Sequence, residues 1–245
     1  MITFNSISST AYADILTVMR VNRPLYPGAA ANTVEIPDRD GVYYFGKDKN
    51  PVSISFRLSL NSASATARRT AIRQIAAWLE NDDPKPLSFN DESTLIYYSV
   101  LTEPISVDEF ALTGFADVRF TVPDGCAYST GTETVSDVAT TAVTSTNAGT
   151  LPCDCVITVS PTTDYASLKL TLVATSEYLE LNSSGGSTNE IIFNTQRRTV
   201  TVDGTDASSG IDYDSTWFKL PVGAFTIDVE GAASDVDIVY RERWM

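Results

Sequence analysis

The chain has 245 residues and no histidine, and 17 Lys and Arg against 31 Asp and Glu give it a net charge of −14. Its length exceeds the usual size of one domain, so we expect two domains. Repulsion from phosphate opposes sequence-specific nucleic-acid binding, and no apolar run approaches the roughly 20 residues of a membrane-spanning helix, which argues against membrane insertion.

An aromatic segment is the first notable feature along the chain. The stretch 34–46 places an Asp-Gly turn signal ahead of three aromatic residues, which predicts a hairpin or a projecting arm. The three are Tyr43, Tyr44 and Phe45, and because aromatic residues are enriched at protein interfaces, we take them as candidate contacts between subunits. Burial of one or two of them in the core of their own domain is the commoner alternative.

Three arginines flank this segment. Arg20, Arg23 and Arg57 could form pairs between subunits or could merely solvate the faces of strands, and solvation is the more frequent role. Of the three, we take Arg57 as the candidate subunit contact.

That strand is followed by the one helix that the sequence predicts. Residues 52–61 alternate between apolar and polar types, as in a strand with one buried face. From 64 to 81 the period becomes helical, with Arg68 and the other charged residues mostly off the apolar stripe. The stripe consists of Ile72, Ile75, Ala76 and Leu79. Prolines at positions 84 and 86 end the helix, and strand composition returns at 87–89 and 95–101.

The second half of the sequence has an almost wholly β pattern. Residues 129–150, rich in Thr, Ser, Ala and Val, predict a linker and an entry strand. Eight short runs of strand composition follow: 156–159, 168–173, 178–181, 191–193, 199–202, 217–220, 225–229 and 236–240. Their spacing favours a jelly-roll or galectin-like β-sandwich. We therefore predict a mainly β protein with one helix, in which an α+β domain at 1–130 precedes a sandwich domain at 131–245.

The residue types limit the chemistry available. Without histidine the chain can form neither a Ser-His-Asp triad nor a His-ligated metal site, and it has no nucleophile elbow and no phosphate-binding loop. Cys126, Cys153 and Cys155 are expected to be small buried side chains, because a thiolate zinc site would need a further pair. We predict no cofactor, no metal and no catalytic residue.

Two carbohydrate-directed alternatives remain open. Tyr178, Tyr213 and Trp217 could stack on a saccharide if they are exposed, which would make the protein a carbohydrate-binding sandwich. A glycoside hydrolase ranks lower, because the acidic segments 203–206 and 212–214 are more typical of turns than of paired catalytic carboxylates.

Several motifs occur in an order that is informative as a whole. In the first half they are Arg23-Pro24, Arg39-Asp40-Gly41, 52–57, Ala77-Trp78-Leu79, 86–89 and 115–120. In the second half they are 147–150, 191–193 with 199–204, 217–220 and 239–244. In this order they resemble the distal tail proteins of long-tailed, non-contractile bacteriophages, and the resemblance spans nearly the whole chain.

This resemblance implies a structural protein of the virion tail tip, made in the cytoplasm of the host bacterium. The N-terminal domain would form a ring, expected to be hexameric, that joins the tail tube protein to the baseplate or tail-associated fibre protein and leaves a channel through which DNA only passes. The galectin-like C-terminal domain would face outward and hold receptor-binding proteins or a host saccharide. Closing a ring would also cover the sheet edges of the N-terminal domain.

Overall fold

The protein is described from a computed structural model over residues 1–24, 26–110 and 113–245. The described part is mostly β-structure and contains a single α-helix, so the predicted fold class is confirmed. The chain divides into two compact units, one of residues 1–130 with Met245 and one of residues 131–244.

The N-terminal unit is built on antiparallel strands and one helix. Its elements are β1 Ile2–Phe4, β2 Ile7–Ser8, a 3-10 turn Ser9–Tyr12, β3 Leu16–Asn22, β4 Ala29–Glu35, β5 Val42–Lys49, β6 Val52–Asn61, α1 Ala65–Leu79, β7 Lys85–Phe89, β8 Glu92–Leu101, β9 Val107–Phe110, β10 Thr113–Val122 and β11 Ala127–Ser129. The main sheet has the order β2-β1-β7-β8-β10-β6-β3, with β9 paired to β10 and β11 to β8. Strands β4 and β5 form a separate two-stranded sheet.

Strand β6 is the central element that the sequence predicts best. It pairs with β10 along its whole length, from Val52 opposite Val122 to Asn61 opposite Thr113. Its apolar residues are buried, whereas the polar residues between them are exposed or half-buried. The alternation of the sequence therefore corresponds to one buried and one outer face of the sheet.

Helix α1 packs on this sheet, but not with the predicted stripe. Ser64 caps it, since its Oγ accepts a hydrogen bond from Ala67 N at 3.2 Å. The buried helix residues are Arg68, Ala71, Ile75, Trp78 and Leu79. Ala76 is exposed and Arg68 is buried, so both predictions were wrong. Trp78 is buried on the side of the helix that faces the sheet, and its Nε1 donates to Phe4 O at 3.2 Å.

The C-terminal unit is a β-sandwich. Its elements are β12 Glu133–Thr140, β13 Ala142–Asn147, β14 Cys155–Pro161, β15 Leu168–Leu172, β16 Glu177–Leu181, β17 Ile191–Asn194, β18 Thr199–Val202, β19 Thr205–Asp206, a 3-10 turn Ser208–Gly210, β20 Gly223–Glu230, β21 Ser234–Tyr240 and β22 Arg243–Trp244. One sheet has the order β12-β21-β14-β17-β18-β19 and the other β13-β20-β15-β16. Inward-facing residues of both sheets form one core, as in other aligned sandwiches.

Two predictions for this unit were wrong. Residues 129–150 contain two full strands, β12 and β13, rather than a linker and one strand, and the chain crosses from one sheet to the other between them. Residues 217–220 form no strand: Phe218 and Leu220 are buried, but only Leu220 makes a bridge, to Cys153. An extended segment shows alternating burial whether or not it pairs with a strand, so the sequence pattern could not distinguish a paired strand from an unpaired extended segment.

The edge of the four-stranded sheet at β16 is closed by the chain itself. The segment 210–216 runs beside β16, where Asp212 N donates to Glu180 O at 2.8 Å and Thr216 N donates to Tyr178 O at 2.8 Å. Glu180 N donates to Ser215 Oγ at 3.0 Å. The backbone groups of this edge are therefore satisfied within the unit.

Candidate assembly surface

The hairpin β4–β5, residues 29–49, is the most exposed element of the N-terminal unit, and we call it the ribbon. Its two strands pair only with each other among the described residues. Val34 lies opposite Tyr43 and Thr33 opposite Tyr44, and the register shifts between Ala31 and Thr33. The Asp40-Gly41 signal lies between β4 and β5, so the predicted hairpin is present, and the aromatic residues lie on its second strand.

The ribbon carries large apolar side chains that remain exposed, although the Arg39 guanidinium lies over the Tyr43 ring, 3.8 Å from its centre. Tyr43 is 44% exposed, Tyr44 60% and Phe45 68%, and Val34, Ile36 and Val42 are exposed as well. The three aromatic residues thus do not belong to the core of their own unit. An exposed group of this kind on a soluble protein marks an interaction surface more often than an accident of packing.

The base of the ribbon is closed by tight backbone contacts. Asn50 N donates to Gly28 O at 3.3 Å, which brings together the two ends of the hairpin. Gly28 has φ +70° and Gly125 has φ +62°, both in the left-handed region that favours glycine. A Cβ atom on Gly125 would lie 2.8 Å from Asn50 O, so only glycine permits this approach. The ribbon therefore leaves the sheet in a defined direction.

Arg23 fixes the segment that leads into the ribbon. Its guanidinium pairs with Asp91 and, at 3.0 Å, with Glu92, and it lies 4.6 Å from the centre of the Phe89 ring. Tyr97 completes this cluster, and burial together with the Glu92 carboxylate raises the pKa of its hydroxyl. The expectation that the arginines merely solvate strand faces is wrong for Arg23. Its partners lie almost 70 positions away, so no local signal could have shown them.

Strand β3 forms an open edge of the main sheet. It pairs with β6 and with no other strand among the described residues, and Met19 and Val21 are exposed on it. Arg20 lies directly opposite Arg57 and forms no ion pair within the described part. Like charges in this position repel each other across a strand pair.

Arg57, the fourth candidate contact, lies on the outer face of the sheet. Its side chain is about half exposed and reaches the Asp117 carboxylate at 3.9 Å and the Phe115 ring at 5.2 Å. It therefore has partners inside its own unit and belongs to the sheet face beside the β3 edge. Arg57 and the aromatic residues of the ribbon are thus on different elements.

The candidate saccharide residues lie around the segment that closes β16. Tyr213 is 99% exposed, whereas Trp217 is partly buried and packs against the core. Tyr178 lies between, with the Lys169 ammonium 4.5 Å from its ring centre and its hydroxyl 3.5 Å from Asp212 Oδ2. Among these three candidates, only Tyr213 has an aromatic ring that is open to solvent on both faces.

The other polar candidates have structural roles in the described residues. Hydrogen bonds from Glu190 N and Asn189 lower the pKa of Asp203, and those from Ser208 lower the pKa of Asp206. Both carboxylates thus act in turns, as expected from their sequence context. The described residues contain no cluster of metal-binding side chains and no helix of the length and hydrophobicity that crossing a bilayer requires.

The three cysteines are buried and form no disulfide. Burial raises the pKa of Cys153 to about 11 and that of Cys155 to about 12. Their predicted role as small buried side chains agrees with this placement.

Comparisons with known proteins agree with this architecture. Residues 11–122 match the family model of the phage tail protein RIFT-related domain, and residues 148–244 match that of the siphovirus-type tail component, C-terminal domain. The chain belongs to the siphovirus distal tail protein family. This distal tail family member is thus a structural component of a phage virion tail, as the sequence resemblance predicts.

Solved structures of phage tail proteins are similar to this chain. The crystal structure of the SPP1 Dit (gp 19.1) protein covers 100% of this chain and 98% of its own, with a TM-score of 0.84 and 16% identity, which shows a shared fold. Two structures of the phage P2 baseplate, with Ca and with Sr, each cover 93% of this chain and 90% of their own, with a TM-score of 0.46 and 8% identity. No curated protein sequence matches this distal tail family member.

Proposed function

We propose that this protein is the distal hub of the tail, where six copies of the N-terminal unit close into a ring. The observation that carries the proposal is the pair of incomplete elements in that unit, an exposed apolar ribbon and an open β3 edge. The solved structure of similar fold is described as a hub of the adsorption apparatus in phages that infect Gram-positive bacteria. Both observations favour a protein that completes its fold in an assembly.

A ring accounts for these features in physical terms. Open strand edges and exposed apolar patches promote uncontrolled association when a chain acts alone. Head-to-tail contacts around a closed ring cover one edge and one ribbon for each subunit and leave none over. The ribbon and the β3 edge are the surfaces that we assign to this contact, with Tyr43, Tyr44 and Phe45 on the ribbon and Arg57 beside the edge.

The hub role assigns neighbours to the ring. One face would join the tail tube protein and the other the baseplate or the tail-associated fibre protein. The C-terminal sandwich would carry receptor-binding proteins, and DNA would pass through the channel without being bound. The net charge of −14 per chain is compatible with such passage, because it repels phosphate.

Electron microscopy and mass measurement of the purified chain test this proposal. We expect ring particles with sixfold symmetry, and a mass distribution that shifts from monomer to hexamer as the concentration rises. A strictly monomeric mass over a wide concentration range would contradict the ring.

Saccharide binding by the C-terminal sandwich is a second candidate function, favoured by the fully exposed Tyr213 ring. Such a ring can stack on the apolar face of a sugar. A panel of host cell-wall glycans applied to the full chain should retain a ligand that is lost in Tyr213→Ala and kept in Tyr213→Phe. Equal retention by wild type and Tyr213→Ala would exclude this site.

A further inference from the structure

We propose that the ribbon is inserted between neighbouring copies of this chain and is contacted on both of its faces, instead of lying flat on one subunit. This inference rests on the proposed ring and specifies the geometry of its contact. It follows from the register of the ribbon, its lack of a core and the charges at its edges.

The register distributes the apolar residues over two faces. Val34 and Tyr43 form one directly opposed pair, so their side chains share a face. Thr33 with Tyr44, and Glu35 with Val42, are the neighbouring pairs and lie on the other face. Val34 and Tyr43 are 51% and 44% exposed and Val42 and Tyr44 are 50% and 60% exposed, so each face carries exposed apolar side chains.

A contact on one face would leave the other face in water. A two-stranded hairpin has no core of its own and is at best marginally stable in isolation. Its aromatic residues gain most when they leave water on both sides, because the hydrophobic free energy scales with the apolar area that is buried. Insertion between two surfaces achieves this, whereas docking on a flat surface buries only half of the set.

Charges identify the occupant as a second copy of the same chain. On the open β3 edge, Arg20 faces Arg57 and has no ion pair within the described part. On the ribbon, Glu35 is exposed at the end of β4 and likewise forms no ion pair in the described residues. Strands β3 and β4 are both seven residues long. The ribbon of a neighbouring copy would thus supply a carboxylate to Arg20 and a strand to the open edge.

The base of the ribbon suits insertion. The Arg23 cluster and the close approach of Gly125 to Asn50 hold the direction of the ribbon before any contact forms. A preorganised element loses less conformational entropy on binding than a flexible arm does.

Two double variants test the faces separately. Tyr43→Ser with Val34→Thr alters one face, and Tyr44→Ser with Val42→Thr alters the other. Val138→Thr is the control, since Val138 is 79% exposed in the C-terminal unit. We expect each double variant to weaken self-association at least about tenfold and the control to leave it unchanged, as measured by analytical ultracentrifugation. Circular dichroism and thermal melting verify that each variant is folded.

A second measurement needs no variant, because the adjacent residues Tyr43 and Tyr44 report on opposite faces. Nitration by tetranitromethane, read by mass spectrometry, should modify both in the monomer and neither in the ring, while Tyr213 reacts in both states. If wild type assembles but only one tyrosine is protected, or only one double variant weakens assembly, the ribbon lies flat on one subunit and the inference fails, while the ring still stands. If wild type assembles with both tyrosines still nitrated and both double variants unchanged, the inference also fails, because the ring uses another surface. A wild-type chain that remains monomeric contradicts the ring as well as the inference.

Discussion

The N-terminal unit leaves the β3 edge open and both faces of the ribbon exposed, whereas the C-terminal unit closes the edge at β16 with its own segment 210–216. Both units are sheets with the same need to satisfy edge backbone groups. The β16 edge is satisfied within its own unit, whereas the β3 edge is the one that we propose a neighbouring copy completes.

The largest expected difference between the two units is in the free energy of unfolding lost when one phenylalanine of each is replaced. Phe193 is fully buried in the sandwich, so Phe193→Ala should lower the free energy of unfolding of that unit by about 3–5 kcal/mol. Phe45→Ala should change the stability of the monomer by less than about 0.5 kcal/mol, because its ring contacts water. Denaturant unfolding at concentrations below assembly measures both. A loss above about 1 kcal/mol for Phe45→Ala would mean that the ribbon packs on its own unit.

Arg23 provides the next largest effect, on the rigidity of the ribbon. Arg23→Ala removes two ion pairs and the contact with Phe89, so it should cost the N-terminal unit about 1–2 kcal/mol. Arg119→Ala is the matched control, since its exposed pair with Glu103 is worth less than about 0.5 kcal/mol. Hydrogen exchange of residues 29–49 should accelerate only in Arg23→Ala. Equal exchange in both variants would contradict a fixed ribbon base.

A charge exchange tests the open edge with effects of opposite sign. Arg20→Glu removes the repulsion with Arg57 and should stabilise the monomer by a few tenths of a kcal/mol. In the ring it would face Glu35 of a neighbour and weaken assembly by roughly tenfold, about 1.4 kcal/mol. Glu35→Arg alone should weaken assembly in the same way, and the double variant should restore it. Additive losses in the double variant would exclude this pairing.

Ser215 provides the smallest effect, at the closed edge. Ser215→Ala leaves Glu180 N without its acceptor and should lower stability by about 1 kcal/mol. Ser209→Ala in the same loop should be neutral, since Ser209 is exposed. Thermal melting measures both variants. If Ser215→Ala also melts like wild type, water replaces the lost acceptor and the edge does not depend on this hydrogen bond.

The sequence predicted elements whose pattern is local. The alternation of residues 52–61 identified β6, and the Asp-Gly signal located the ribbon turn, because each depends on neighbours in the chain. The buried helix stripe differs from the predicted one because Trp78 donates to Phe4 O and Arg68 donates to Thr113 O at 3.3 Å, both long-range contacts. The strand expected at 217–220 was wrong because its alternation reflects burial without pairing.

The candidate surface was predictable only in part. The order of turn and aromatic residues suggested an arm, but whether the three aromatic residues were buried depended on elements distant in sequence. The roles of the arginines were harder still to predict. Arg23 is paired because of residues at β7 and β8, whereas Arg20 lies opposite Arg57 on β6, and neither difference shows in the residues next to them in the chain. Exposure and strand neighbours are properties of the fold, and one sequence does not reveal them.

The burial of Cys153 and Cys155 in the sandwich affects how the protein withstands oxidation outside a cell. A thiol whose pKa is about 11 or about 12 is deprotonated to roughly one part in ten thousand or less at neutral pH, and the thiolate is the form that oxidants attack. Cys153 and Cys155 should therefore resist both air and cross-linking to other particles. A virion component spends its working life in oxidising surroundings, and at these two positions it has neither a disulfide to be reduced nor a thiol that oxidants readily attack.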